Sequence, residues 1–188
     1  MKTLPGPISD HRAVFDKLMV ERMQLPGSIA EFGVFDGGST RQLACYGRPV
    51  YAFDTFCGLP AEDFTADSAV DPPSLMCPGG FTPGVPFPEM FVDYPNITPI
   101  VGRFADTMPL FPLGIKFILI YLDPDLYESH RQVFQWLVET DRLEPNAAIV
   151  CDDWFFLPGA RKAVEEFAAQ YSVERREHMR TLIWKPQR

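Results

Sequence analysis

The sequence has little positive charge and no long hydrophobic segment. It contains 17 Lys and Arg against 25 Asp and Glu, which gives a formal net charge of −8. Because nucleic-acid binding draws most of its affinity from Lys and Arg, we expect no nucleic-acid partner. No segment approaches the roughly 18 apolar residues of a membrane span, and the first residues lack the apolar core of a secretory signal. These absences predict a cytoplasmic protein that binds a small molecule and no membrane.

Paired cysteines are also missing. The four cysteines are widely spaced, without a CxxC pair or the Cys/His spacing of a zinc site: Cys45, Cys57, Cys77 and Cys151. A disulfide framework would be unusual in a cytosolic protein of this size, so we expect buried free thiols. The length of 188 residues and the 46% hydrophobic share predict one globular domain, residues 1–188.

Predicted strands and helices alternate along the chain. Short apolar segments bounded by turn residues predict strands near residues 28–35, 49–56, 96–104, 115–125 and 147–156. Helical spacing occurs near residues 11–24, 39–47, 128–143 and 159–171, and a last, antiparallel strand is expected at 180–185. The alternation predicts an α/β fold with a doubly wound, mainly parallel sheet and helices on both faces.

Aspartates follow several predicted strands at their carboxyl ends: Asp54, Asp123, Asp125, Asp152 and Asp153. In a parallel sheet these ends share one edge, and ligands bind there. Closely packed aspartates repel one another, and Mg²⁺ is a hard cation that prefers oxygen ligands. The pattern therefore predicts a Mg²⁺ site, with helix capping by the later aspartates as the alternative.

A glycine-rich loop follows the first predicted strand, with glycines at 33, 37 and 38. Glycine lets the backbone approach a ligand closely. The loop lacks the dinucleotide fingerprint GxGxxG, because Phe35 stands where glycine is needed. Asp54 lies about 20 residues further on, where a carboxylate can accept hydrogen bonds from a ribose. Loop and acid suggest an adenosine-containing ligand; a structural turn and a turn cap are the alternatives.

A proline-rich segment at about residues 57–95 has no clear period. A loop of this length is usually functional, and it starts beside the expected site, so it is a candidate lid. Its phenylalanines could cover an apolar ligand or simply pack on the domain: Phe64, Phe81, Phe87 and Phe91.

Five segments carry a resemblance to a known family: "EFGVFDGGSTRQLA", "YAFDTFCGLP", "GRFADTMP", "YLDPDLYES" and "DDWFFLPGARKAVEEF". Over roughly residues 29–167 the chain resembles the macrocin O-methyltransferase family of metal-dependent, S-adenosylmethionine-dependent enzymes. The resemblance implies a Rossmann-like, class I methyltransferase fold. It also implies transfer of a methyl group to a hydroxyl of a small sugar, catechol-like or glycosylated natural product.

The resemblance further implies roles for individual residues. Asp123, Asp152 and Asp153 would hold Mg²⁺, and Asp125 would be the general base. The S-adenosylmethionine cofactor would lie against a set drawn from four segments: Glu31, Gly33, Gly37, Ser39, Asp54, Gly102, Phe104, Asp106 and Asp123. His130 stands where the family usually has threonine; it could be a second base, although a surface or capping histidine is the favoured interpretation.

Two other functions fit part of the sequence. A DxD-type Mg²⁺-dependent phosphatase would use Asp123 as its nucleophile, but that function leaves the glycine loop and Asp54 without a role. A non-catalytic cofactor-binding or interaction protein is favoured if the short region before the first strand leaves the acceptor pocket incomplete. A second subunit could instead complete that pocket, so a homodimer is a further hypothesis.

Overall fold

The computed structural model describes residues 11–64, 76–84 and 89–186. Its strands form one sheet in the order β3-β2-β1-β4-β5-β7-β6. The strands are β1 (Ser28–Phe32), β2 (Val50–Asp54), β3 (Ile97–Val101), β4 (Phe117–Leu122), β5 (Leu143–Cys151), β6 (Val173–Arg176) and β7 (Thr181–Trp184). Strands β1 to β5 are mutually parallel, whereas β7 runs antiparallel to both β5 and β6.

Helices cover both faces of this sheet. In the described residues they are α1 (His11–Val20), α2 (Gly38–Ala44), α3 (Phe104–Thr107), α4 (Tyr127–Glu139) and α5 (Pro158–Gln170). Phe15 of α1 and Leu43 of α2 belong to the core on one face, and Phe134 of α4 and Phe167 of α5 belong to the core on the other. The predicted doubly wound fold with an antiparallel last strand is therefore confirmed. Among the helices described, none is long and apolar enough to span a membrane.

The central strands β1 and β4 position the functional edge of the sheet. Every residue of both strands is buried, as expected for parallel strands covered on two faces. They pair with Phe32 opposite Leu122. As a result Gly33 and Asp123, the residues that follow the two strands, emerge side by side at the carboxyl edge. Strand order reverses between these two strands, which is where ligands bind in such sheets.

The prediction of buried thiols is wrong for three of the four cysteines. None of the four, all of which the structure describes, forms a disulfide, but Cys45, Cys57 and Cys77 are exposed. Cys45 lies at the end of α2, and the other two lie in the long loop outside the sheet. Only Cys151 ends a central strand, and burial raises the pKa of its thiol.

Candidate active site

A cavity of about 320 Å³ opens at the carboxyl edge of the sheet. It lies at the ends of β1, β2, β4 and β5 and at the start of the long loop. All five predicted aspartates contribute to its lining, together with the first glycine of the loop: Gly33, Asp54, Asp123, Asp125, Asp152 and Asp153. Its volume lies within the range of about 300–1,000 Å³ typical of small-molecule sites.

Four of these aspartates form an acidic cluster: Asp123, Asp125, Asp152 and Asp153. One carboxylate oxygen from each of Asp123, Asp152 and Asp153 lies within 4.8 Å of the others. Oδ2 of Asp153 is buried without a hydrogen-bond partner in the part of the chain that the structure describes. Three converging carboxylates and an unpartnered buried oxygen fit a hard divalent cation.

Electrostatics within the acidic cluster disfavour ionisation of Asp123, Asp125 and Asp153. Burial, followed by repulsion from Asp152, raises the pKa of Asp153 to about 6. Burial and the nearby Asp153 raise the pKa values of Asp123 and Asp125 well above their ordinary value. A cation among these groups would reverse this effect, because positive charge stabilises the ionised forms.

The structure does not support the capping alternative for these aspartates. Helix α4 begins after Leu126 and helix α5 after Leu157, and neither helix has a side-chain cap. Asp123 and Asp152 are instead held by their backbone N–H groups, which donate to strand carbonyls at 2.9 and 3.0 Å. Asp125 has a left-handed backbone with φ of 58°, a strained conformation that is frequent at functional sites.

Asp54 has a different environment from the acidic cluster. The Val34 and Phe35 N–H groups donate to its Oδ2 at 2.6 and 3.2 Å. The Phe56 N–H donates to its Oδ1 at 2.7 Å, so the turn-capping role named above is present. The Thr55 hydroxyl lies 3.5 Å from Oδ1, but its single proton is directed to the Gly58 carbonyl at 2.7 Å. A carboxylate has about four lone-pair sites, so the three backbone bonds leave room for a further donor from the cavity.

Two glycines of the loop are required by close packing. A Cβ at Gly33 would lie 2.1 Å from the carbonyl oxygen of Asp123, and Gly33 has a φ of 86°. A Cβ at Gly37, whose φ is 71°, would lie 2.7 Å from the Phe91 ring. Phe35 has a left-handed φ of 49° and contributes to the cavity lining. Gly33 therefore joins the ends of β1 and β4, and Gly37 fits the loop against Phe91.

Glu31 is placed behind the cavity rather than in its lining. Its side chain is fully buried and accepts a short hydrogen bond from the Ser39 hydroxyl, while its Oε2 has no partner among the described residues. Burial raises the pKa of Glu31 to about 7. The hydrogen bond between Glu31 and Ser39 thus links β1 to the start of α2 across the glycine loop.

The "GRFADT" segment contributes only part of its residues to the cavity. Phe104 and Arg103 line it, whereas Gly102 and Asp106 do not, and Asp106 is exposed on α3. Arg103 approaches Asp63 at 3.6 Å, a buried carboxylate from the start of the long loop. Ser129 donates to the same carboxylate at 2.8 Å, so this loop segment is anchored to α4 beside the cavity.

Among the described phenylalanines of the long loop, one lies at the cavity and another lies in the core. Phe81 lines the cavity and contacts Phe35 edge-on, with ring centroids 5.7 Å apart. Phe91 is buried in the core, and Phe64 is partly buried. Phe87 lies outside the described residues, as do residues 65–75 and 85–88, so the lid prediction is not tested along its full length.

The favoured interpretation of His130 as a surface or capping residue is wrong. His130 is fully buried on α4 and contacts the Leu126 carbonyl through Nδ1 at 2.9 Å. Burial lowers the pKa of His130 to about 4, so it is neutral near pH 7. It does not line the cavity and cannot act there as a second base.

Sequence reasoning missed His11, the first residue of α1. Its Nε2 lies 3.0 Å from Oδ1 of Asp152 and 3.2 Å from the Tyr121 hydroxyl. The only sequence signal was a histidine at a helix start, and 141 positions separate it from its aspartate partner.

Several similar solved structures are methyltransferases. The calicheamicin methyltransferase CalS11 superposes with a TM-score of 0.75 at 21% identity, over 95% of this chain and 79% of that one. The O-methyltransferase NovP gives 0.70 at 22% identity, over 95% and 78%. An O-methyltransferase from Bacillus cereus in complex with SAH gives 0.54 at 15% identity, over 92% and 74%. A search of curated proteins gives no significant match.

These superpositions, with the strand order and the acidic strand ends, define a class I methyltransferase fold. The sequence profile of the macrocin O-methyltransferase (TylF) family matches residues 9–181. The chain belongs to this family and is an S-adenosylmethionine-dependent O-methyltransferase. The phosphatase and the non-catalytic binding protein are thereby set aside.

Proposed function

We propose that the protein transfers the methyl group of S-adenosylmethionine to a hydroxyl of a small sugar, catechol-like or glycosylated acceptor in a Mg²⁺-dependent reaction. The observation that carries the proposal is the convergence of Asp123, Asp152 and Asp153 within 4.8 Å at the cavity. CalS11 is described as a TDP-rhamnose 3'-O-methyltransferase, which supports a sugar-containing acceptor.

Asp123, Asp152 and Asp153 would hold the Mg²⁺ ion. When bound, the ion would attract electron density from an acceptor hydroxyl and make it more acidic. Two vicinal hydroxyls would satisfy such a site better than one, because Mg²⁺ prefers several oxygen ligands. Chelating diols should therefore be the best acceptors.

Asp125 is proposed to remove the acceptor proton. It lines the same cavity two residues after Asp123 and belongs to the acidic cluster. A carboxylate placed beside the acceptor hydroxyl can take up the proton as the oxygen attacks the methyl group. The left-handed backbone at Asp125 fixes the direction of this side chain relative to β4.

Asp54 and the glycine loop are proposed to hold the cofactor. The loop backbone at Gly33, Val34 and Phe35 lines the cavity, and Asp54 can accept one further hydrogen bond from a ribose hydroxyl. Phe104 would contact the adenine, while Glu31, Gly37 and Ser39 would act by shaping the loop. Gly102 and Asp106, which lie off the cavity lining, would act only through the position of Phe104.

The chain is further proposed to act as one methyltransferase domain, with the loop at about residues 57–95 as its lid. The contribution of Gly58, Leu59, Pro60 and Phe81 to the cavity lining supports this assignment. A homodimer that completes the acceptor pocket stays a prediction.

Calorimetric titration of Mg²⁺ into the protein with S-adenosylhomocysteine present tests the metal site. We expect binding by the wild type and its loss in Asp152→Ala and Asp153→Ala, because each removes a carboxylate oxygen from the cluster. Asp93→Ala, which removes an exposed aspartate outside the cavity, is the matched control and should bind normally.

Methyl transfer from labelled S-adenosylmethionine to a panel of sugars, catechols and glycosylated aromatics tests the reaction. We expect activity to require Mg²⁺ and to fall by about 10²–10⁴-fold in Asp125→Asn, the contribution of a positioned general base. Full activity in EDTA would contradict the proposed mechanism. Methylation of amines and single hydroxyls as efficient as that of vicinal diols would also contradict it.

A further inference from the structure

Helix α1 brings a side chain to the edge of the acidic cluster. His11 is its first residue, and its ring is partly exposed, with Nε2 3.0 Å from Oδ1 of Asp152. The same nitrogen lies 3.2 Å from the hydroxyl of Tyr121, a residue of β4. One histidine therefore contacts both a cluster aspartate and the central strand below it.

The packing of α1 fixes the position of this ring. Phe15, one turn after His11, is fully buried and meets the Tyr121 ring edge-on at 5.2 Å. His11 meets the same ring at 5.6 Å. Because Phe15 anchors the helix in the core, the imidazole cannot leave Asp152 through a rigid shift of α1 without disturbing that core.

The chemistry of the contact sets the direction of its hydrogen bond. A carboxylate oxygen accepts, so the Nε2–H group is the donor in its contact with Asp152. The Tyr121 hydroxyl lies 3.2 Å from the same nitrogen and is a second polar neighbour of the imidazole.

Asp152 is held more firmly than its neighbours in the acidic cluster. Besides His11, the Arg180 guanidinium donates to the Asp152 carbonyl and approaches its Oδ1 at 3.4 Å. His11 and Arg180 come from opposite ends of the described chain. The carboxylate between them is oriented before any ligand binds, and groups that orient a metal-binding carboxylate typically change metal affinity by about 10–100-fold.

We propose that His11 is a positioning residue of this active site, and that its Nε2–H orients the Asp152 carboxylate for the divalent cation. The inference rests on the proposed Mg²⁺ dependence. His11 lies outside the group of three carboxylates that share one ion site, so it acts through Asp152 rather than as a ligand. Helix α1 is then part of the catalytic apparatus and not only a cover for the sheet.

The test is Mg²⁺ titration by calorimetry with S-adenosylhomocysteine present, in the full chain. We expect His11→Ala to weaken Mg²⁺ binding by about 10–100-fold. His11→Gln, whose amide N–H can replace Nε2–H, should stay within about threefold of the wild type. The control His178→Ala removes an exposed histidine and should bind Mg²⁺ normally. S-adenosylhomocysteine affinity should be the same in all four proteins, because His11 does not line the cavity.

Each remaining outcome overturns the inference in a different way. Normal Mg²⁺ binding by His11→Ala would show that Asp152 needs no support from α1. A loss that His11→Gln does not restore would assign the effect to ring packing on Phe15 and Tyr121. Absence of Mg²⁺ binding by the wild type would remove the proposed metal site itself, and the role of His11 with it.

Discussion

Two acidic regions lie at the same edge of the sheet and are stabilised in opposite ways. Asp54 accepts three backbone hydrogen bonds, from Val34, Phe35 and Phe56. In the acidic cluster, burial and mutual repulsion raise the pKa values of Asp123, Asp125 and Asp153. Backbone N–H groups compensate the charge of Asp54, whereas the proposed cation would compensate Asp123, Asp125 and Asp153.

Asp54 therefore has a structural role in addition to its proposed role in binding the cofactor. Asp54 organises the glycine loop in the absence of any ligand, because backbone N–H groups are its partners. The acidic cluster stores unfavourable electrostatic energy that a cation would release. Backbone N–H donors thus stabilise Asp54 on the proposed cofactor side. On the proposed metal side, a bound cation would be needed to balance the carboxylates.

The largest effect is expected where the two regions touch, at Gly33. In Gly33→Ala the new Cβ would overlap the Asp123 carbonyl oxygen, and the left-handed φ of 86° would add strain. We expect a loss of at least about 3 kcal/mol in the free energy of unfolding, measured by urea denaturation.

Gly38→Ala is the matched control for that substitution. A Cβ at Gly38 meets nothing within 4 Å, and Gly38 begins α2. This variant should unfold within about 1 kcal/mol of the wild type or be slightly more stable, since alanine favours helix. A Gly33→Ala protein as stable as Gly38→Ala would mean that the ends of β1 and β4 are not tightly joined.

Two variants, one in each region, are expected to change the free energy of unfolding in opposite directions. Asp54→Ala should lower the free energy of unfolding by roughly 2–4 kcal/mol, because three N–H groups lose their acceptor. Asp153→Asn should raise it by about 1–2 kcal/mol at pH 8 without metal, because one repelling charge is removed. Urea unfolding in EDTA measures both. If both variants were destabilised equally, the two regions would not differ as described.

A pH-dependent effect is expected at Glu31, which is buried like the acidic cluster and hydrogen-bonded like Asp54. Its folded-state pKa of about 7 exceeds its ordinary value of 4.5, so the folded state binds the proton more tightly than the unfolded state. Stability should therefore be greatest below about pH 4.5 for this group and fall as pH rises to about 7, by roughly 1–3 kcal/mol.

Glu31→Gln should flatten that part of the pH profile. Thermal unfolding in EDTA between pH 5 and 8 measures the slope, and Glu139→Gln, at an exposed position near the end of α4, is the control. A Glu31→Gln profile that keeps the wild-type slope would show that Glu31 is not the group responsible.

Much of the fold could be predicted because its signals are local. The apolar segments at the carboxyl ends of β2, β4 and β5 end in or are followed by aspartate, and Asp54, Asp123 and Asp152 all reach one cavity as the parallel order requires. Strand β6 was missed because three of the four residues in its sequence VERR are charged and the strand is at most partly buried at the sheet edge. Neither periodicity nor apolarity marks such a strand.

The parts of the site that escaped prediction depend on tertiary contacts. Nothing near His11 in the sequence indicates that it meets Asp152, since the packing of Phe15 on Tyr121 decides this contact. Likewise the position of His130 near a helix start favoured a surface or capping role, whereas α4 buries it in the core. The turn bonds of Asp54 follow from the folded loop, and the sequence could only leave them as an alternative.

The strand order also has a consequence for how the nascent chain folds on the ribosome. Strand β1 can pair with β2 early, but its other neighbour is β4, and the acidic cluster needs the end of β5 as well. Parallel pairings between distant segments form slowly and leave apolar strands exposed while the intervening chain is made. One edge of β1 therefore stays unpaired until Phe117–Leu122, the segment that forms β4, has been synthesised.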